Sequence, residues 1–362
     1  MTYDLIFVDL ESEIDLESEN LGGGGVRHYI ELANILSKNA KICIIAKSNF
    51  IKNVLVNQYP NLSFIKYEPG PVFNPKAFFD GYKYGKKLIP KAVISTTLFF
   101  NTYTFSQGIS ISAKSPLIIL MYHHPRFFIR IKKMGIKGLA TYIFYSPSFL
   151  SRYFFRNNYL FYTYSSNIKG KNIYNNIWIS IDKKVCNHDN TNYKEFDLCF
   201  LGRLSKMKGL DEFINTAEII KNKIPGLKVA VIGKKFNIDL PSWFNYFGFA
   251  NEEEKLRILS RCKVFFLPSH EEGFSIATLE AMCNGAVPVV WDLREYPFKN
   301  IIKIKEGDIN KAANAIIDLL NDDKTRNIIA SKAKEEALIY TSNNRINEEI
   351  NTILKISKLD TT

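Results

Sequence analysis

Short, almost wholly apolar runs separated by longer helix-patterned stretches are what most limits the fold of this chain. Asp4–Asp9, Lys41–Ala46, Leu62–Tyr67, Ala92–Thr97 and Leu117–Tyr122 in the first half, and Val264–Leu267 and Val287–Val290 in the second, are rich in Ile, Val and Leu. Runs of this length without polar alternation are buried on both faces, which a strand achieves inside a parallel sheet covered by helices. Helical spacing intervenes, as in Val26–Lys38. The reading is therefore a doubly wound α/β architecture. At 362 residues the chain has room for two or three domains, each with a core of its own.

The most informative stretch is Lys263–Trp291, KVFFLPSHEEGFSIATLEAMCNGAVPVVW. It reads as strand, loop, helix (Ser275–Cys283) and strand. In an open α/β sheet, ligands bind beyond the carboxyl ends of the strands. The backbone N–H groups of Phe274, Ser275 and Ile276 face out of the helix start, where an anion is favoured. Glu272 precedes that point, and Glu280 lies about 6–8 Å further along the helix axis. A phosphate site flanked by two hydroxyl-accepting carboxylates suits a diphosphate between two polyols. A sugar nucleotide has that form.

The same residues carry a resemblance. Pro268-Ser269, Glu272-Gly273-Phe274, Glu280-Ala281-Met282, Gly285 and Pro288-Val289-Val290 resemble the signature of retaining glycosyltransferases of family 4, which have the GT-B fold. The likeness continues through Gly202-Arg203-Leu204 with Lys208-Gly209, Pro225–Gly233 and Gly248–Leu256, so it is close over roughly 196–291 and loose before that. It implies two Rossmann-like doubly wound domains facing a deep inter-domain cleft. Residues 1–182 would form the acceptor-side domain, and residues 183–342 the nucleotide-sugar-binding domain. Residues 343–362 would be a helix crossing back to the first domain. The resemblance also implies roles: Arg203 and Lys208 on the donor diphosphate, Glu272 on the hexose hydroxyls, Glu280 on the ribose hydroxyls.

In the first half, an acidic loop from Glu11 to Asn20 leads into Gly22-Gly23-Gly24-Gly25 and a helix. Consecutive glycines permit close backbone approach to a ligand, although a flexible turn has the same composition. By resemblance, Gly23, Gly24 and Gly25 face the donor diphosphate and the acceptor. His123-His124-Pro125 ends the fifth strand. The family places a His there, near the reacting sugar, so His123 is the candidate, with His124 one residue away. The family is thought to use front-face attack in which the leaving phosphate takes the acceptor's proton, so no protein nucleophile is assigned. No Asp-x-Asp occurs in the chain. Neither a metal nor a cofactor is expected, the nucleotide sugar being a substrate.

Net charge is +12, and its distribution matters more than its size. Residues 81–181 hold 14 Lys and Arg and no Asp or Glu, while the rest holds 34 basic and 36 acidic residues. Such asymmetry points to an anionic partner. Arg126–Tyr164 combines seven Lys or Arg with 13 Phe or Tyr, a composition that suits a membrane interface as well as a domain core beside a basic wall. Single-stranded nucleic acid takes a similar composition, but no motif supports it. Five scattered cysteines without a C-x-x-C pair argue for a reducing compartment and against a disulfide framework or zinc site. The opening MTYDLIFVDL reads as a strand rather than a signal peptide, and no apolar run approaches about 18 residues. A cytoplasmic location with peripheral membrane contact follows as an expectation. The expected function is transfer of a sugar from a nucleotide-sugar donor to an acceptor hydroxyl on a lipid-linked acceptor or growing glycan, with retention of configuration. The rival readings are a non-catalytic membrane- or nucleic-acid-binding module, or a phosphorylase or epimerase on the same fold.

Overall fold

The computed structural model describes residues 2–10, 24–47, 59–70, 74–97, 100–122, 131–132, 135–136, 139, 155, 157, 158–163, 169–179, 181, 183–187, 193–234, 239–293, 296–341 and 346–359. The chain forms two units. One contains residues 1–123, 136–179 and 344–362, the other residues 124–135 and 180–343.

In the first unit the predicted strands appear as β1 (Leu5–Asp9), β2 (Ile42–Ala46), β3 (Ser63–Lys66), β4 (Ala92–Ser95) and β5 (Leu117–Met121). They are joined by β6 (Asn158–Thr163) and β7 (Ile173–Ile177) in one parallel sheet of order β3-β2-β1-β4-β5-β6-β7. Every residue of β1, β2 and β5 is buried, as apolar runs covered on both faces require. Helix α1 (Gly24–Leu36) turns Leu32, Ala33 and Leu36 into the core. Helices α2 (Lys76–Leu88) and α3 (Phe100–Ala113) approach so closely that a Cβ on Gly81 would stand 2.1 Å from the Phe105 carbonyl oxygen. The last strand of this sheet is β7. That strand lies at the sheet edge and is only half-buried, so its sequence lacks the Ile and Val run that marks the central strands.

The second unit holds β8 (Phe196–Leu201), α4 (Leu210–Lys223), β9 (Val229–Ile232), β10 (Asn245–Tyr246), α5 (Glu252–Ser260), β11 (Cys262–Leu267), α6 (Ile276–Cys283), β12 (Val287–Trp291), β13 (Ile302–Ile304), α7 (Ile309–Asn321) and α8 (Asp323–Leu338). Its sheet is parallel, in the order β10-β9-β8-β11-β12-β13. The order reverses between β8 and β11, which makes their carboxyl ends the switch point where ligands bind in such sheets. One cysteine expectation is corrected: Cys186 and Cys283 form a disulfide across 97 positions. A short 3-10 turn at Lys183–Asn187 brings Cys186 against the end of α6, a proximity that sequence spacing does not reveal. Cys43, Cys199 and Cys262 are free and buried.

The last helix, α9 (Ile346–Ser357), belongs to the first unit and packs on α1 and β7. Among the described residues no helix is long and apolar enough to cross a membrane.

Candidate active site

Two loops leave the switch point of the second unit side by side. The turn after β8 carries Arg203, which is exposed, and then a 3-10 turn, Lys206–Lys208. Gly209 closes that turn at φ 73°, and a Cβ there would stand 1.9 Å from the Pro268 carbonyl oxygen. Only glycine meets both demands, the left-handed backbone and the near-contact. The loop after β11 is thereby pressed onto the turn after β8, and hydrogen bonds hold it there. The His270 N–H donates to the Met207 carbonyl at 2.9 Å. The Ser269 hydroxyl contacts the Met207 carbonyl at 3.3 Å and the Glu271 carbonyl at 3.1 Å.

Across this seam, the Lys208 ammonium bonds the Glu272 carboxylate, with side-chain exposures of 23% and 7%. An ion pair so far withdrawn from water is weakly screened and geometrically defined. Beside it, the buried His270 ring lies between two carboxylates: Nε2 is 2.9 Å from Glu212 at the start of α4, and Nδ1 is 2.7 Å from Glu306 beyond β13. The loop is thus tied to three elements of the unit.

After Glu272 the chain turns into α6. Ser275, at its N-cap, has φ 67° and ψ 77°, and its hydroxyl engages Thr278 Oγ1 at 2.8 Å instead of capping a backbone N–H. The first-turn N–H groups have no intrahelical acceptor and carry the positive end of the helix dipole. Phe274 is buried with its ring against Phe298 and Tyr340, each at 5.3 Å. What Phe274, Ser275 and Ile276 offer a ligand is backbone. Glu280 is 4% exposed in the body of α6, and accepts a hydrogen bond from Lys255 Nζ at 2.7 Å. Lys208 and Glu272 are therefore in contact, Glu280 has a partner of its own, and Arg203 lies in the turn that leads to Lys208.

The candidates of the first half lie in the other unit. Gly24 and Gly25 open α1, and a Cβ on Gly25 would stand 2.9 Å from the Tyr122 ring. A packing reason for glycine thus exists alongside ligand approach. Tyr122 directly follows β5 and stands edge-on to His28, whose Nε2 is 3.0 Å from Glu349 of α9. Burial, with help from the Glu349 and Asp9 carboxylates, holds the Tyr122 hydroxyl well above the ordinary phenol range. Gly23, His123 and His124 lie outside the described residues, as does most of Arg126–Tyr164. The end of that aromatic segment is core: Phe161 and Tyr162 of β6 are buried. Sequence reasoning missed Lys255 and the His270 bridge. A Lys after three helix-opening glutamates, and a His in a loop, carry no signal of burial. Among the described residues, no three His, Cys, Asp or Glu side chains gather as a metal-ligand set.

Residues 186–336 match the family model described as Glycosyl transferases group 1. The chain is 30% identical over 181 residues to the N,N'-diacetylbacillosaminyl-diphospho-undecaprenol alpha-1,3-N-acetylgalactosaminyltransferase of Campylobacter jejuni, an alignment covering 46% of this chain and 47% of that protein. It is 26% identical over 182 residues to the capsular polysaccharide biosynthesis glycosyltransferase CapM of Staphylococcus aureus, covering 45% and 48%. The chain thus spans about half the length of these curated relatives. Among solved structures, Anabaena Alr3699/HepE in complex with UDP-glucose superposes with a TM-score of 0.70 over 98% of this chain and 99% of that one, at 14% identity. Residues 186–336 thus resemble the glycosyl transferases group 1 family, and the two parallel-sheet α/β units fit a GT-B fold.

Proposed function

We propose that this chain is a glycosyltransferase of the family 4 type. It would move a sugar from a nucleotide-sugar donor to an acceptor hydroxyl with retention of anomeric configuration and without a metal. The observation that carries the reading is the Lys208–Glu272 pair at the switch point of the second unit, directly before the uncapped start of α6. A cation and free N–H groups suit a diphosphate, and the adjoining carboxylates suit the hydroxyls at its two ends.

In the proposed reaction the bond between the anomeric carbon and the diphosphate oxygen breaks as the acceptor oxygen bonds to the same face of that carbon. The acceptor's proton passes to the departing phosphate. Lys208, Arg203 and the backbone N–H groups of residues 274–276 stabilise the negative charge growing on the diphosphate, the contribution that usually dominates such reactions. An ammonium has three donors, so Lys208 can keep its bond to Glu272 while reaching a phosphate oxygen. Glu272 would then be oriented toward the hexose hydroxyls, and Glu280 toward the ribose. His123 and the Gly23–Gly25 backbone are assigned to the reacting centre by the family resemblance.

The relative from Campylobacter acts, by its name, on a diphospho-undecaprenol-linked sugar and forms an alpha-1,3 linkage. A lipid-linked acceptor and peripheral contact with an anionic membrane are the reading this favours, in keeping with the basic first half.

A panel of nucleotide sugars tested for thermal stabilisation should yield one that raises the melting temperature, since a ligand binding only the native state must do so. With that donor, transfer to a lipid-linked sugar should survive a chelator, and proton NMR of the product should show the donor's anomeric configuration kept. Inversion, or full loss of activity in the chelator, would refute the mechanism. Phosphate dependence, or donor interconversion without an acceptor, would move the chain to a phosphorylase or an epimerase.

A further inference from the structure

Lys255 is 8% exposed, and lysines are rarely buried unless paired. It sits in the first turn of α5 after three glutamates, and its ammonium reaches two carboxylates from different helices. Nζ is 2.7 Å from Glu280 Oε1 on α6 and 2.8 Å from Glu252 Oε2 on its own helix. Glu252 keeps 44% of its side chain exposed, whereas Glu280 keeps 5%. The cation thus bridges an exposed carboxylate and a buried one.

A tie between two helices does not need this arrangement. Apolar residues of similar volume hold such a contact at least as well, because burying an ion pair costs desolvation that its attraction barely recovers. What the trio supplies is a carboxylate held in one orientation inside the domain. A carboxylate's oxygens accept several hydrogen bonds between them, so Glu280 can accept from a hydroxyl while bonded to Lys255.

We infer that Lys255 is a positioning residue for recognition of the donor's ribose, acting through Glu280. The inference rests on the donor-site reading above and goes one step further. The selectivity of the site for ribose hydroxyls depends on a side chain that need not itself touch the ligand. Lys255 fixes which way the Glu280 carboxylate faces, and the ribose reads that direction.

The test is calorimetric binding of UDP, GDP and ADP, each beside its 2′-deoxy and 3′-deoxy forms, to the full-length chain. The preferred nucleoside diphosphate should bind about 10- to 100-fold more tightly than its deoxy counterpart, the range expected of a hydrogen bond to a charged acceptor. Lys255→Met should bring that ratio close to unity, and Lys255→Arg should restore most of it. In a Glu280→Gln background, Lys255→Met should change the ratio no further, because the two residues act as one unit. Lys255→Gln should show the same loss and serves as the probe if the Met variant does not fold. A merely structural lysine would lower the melting temperature but leave the ribose-to-deoxyribose ratio intact, and that result overturns the inference. Equal binding of ribo and deoxy forms by the unaltered protein overturns it too, while leaving the donor site standing. Failure of the protein to bind any nucleoside diphosphate removes the donor site and the inference together.

Discussion

At the scale of single residues, the site depends on two neighbours of opposite character. Lys208 supplies charge and Gly209 supplies room. Replacing Lys208 by Ala removes the cation proposed to face the departing diphosphate, and leaves Glu272, only 7% exposed, without the ammonium it holds. By the measure of a lost oxyanion donor, about 2.7–4 kcal/mol of transition-state stabilisation should go, a fall of about 10²–10³ in kcat. Steady-state kinetics with the identified donor would check it, and an unchanged kcat would remove Lys208 from the chemistry. Gly209→Ala should act differently. Its φ of 73° and the carbonyl 1.9 Å from the added methyl force the β8 turn off the β11 loop. The expected result is a loss of at least about 1–3 kcal/mol in urea unfolding, together with weaker donor binding, because Lys208 and Glu272 separate. Weaker binding without a loss of stability would mean that the two loops are not packed as described.

At the scale of elements, α2 and α3 show where sequence patterns stop informing. Central strands such as Ile42–Ala46 were legible because burial on both faces leaves a run of Ile, Val and Ala, and their ends fall within a residue or two of the reading. Helix α3 was not legible. Asn101, Thr102, Ser106, Gln107 and Ser110 are buried in it, so no polar face alternates with an apolar one. These groups tolerate burial because they hydrogen-bond within the unit, as the Ser106 hydroxyl does to the Thr102 carbonyl at 2.6 Å. Glycine is a poor helix former, yet Gly81 and Gly85 sit where α2 and α3 nearly touch. Gly81→Ala sets two effects against each other: a gain in helix propensity of about 1 kcal/mol, and a methyl 2.1 Å from the Phe105 carbonyl oxygen. Two packed helices must part to admit it, at about 1–3 kcal/mol or more, so the variant should be less stable by urea titration. A more stable variant would show that the helices are not so close. The candidate site divides in the same way. Glu272, Glu280 and the Arg203–Lys208 turn were legible because a motif fixes their order along the chain. Lys255 and His270 were not, because what recruits them is the packing of α5, α4 and the β13–α7 loop around that motif.

At the scale of the whole molecule, the chain builds most of one unit, then the other, and returns to the first with α9. The apolar stripe of that helix is visible in the sequence, but its partners are not, since β7 lies more than 160 positions away and α1 more than 300. Ile346, Ile353 and Leu354 are buried, and Glu349, with no exposed surface, sits against His28. Burying each of the three aliphatic side chains contributes about 1.5–3 kcal/mol. Together they rival the ~5–15 kcal/mol by which a domain is stable at all. Ending the chain after residue 343 should therefore cost the first unit most of its stability and the second unit little. Hydrogen exchange read by mass spectrometry separates the two, because protection is set locally. Peptides from β4 and β5 should lose protection, while those from β8, β11 and β12 keep it. Glu349→Ala should produce a smaller loss confined to the same peptides, since it strips the buried His28 of an acceptor, worth about 1–3 kcal/mol. Equal loss of protection in both units would mean that α9 stabilises the chain as one cooperative body. No loss in either would mean that its contacts with α1 and β7 contribute nothing to stability.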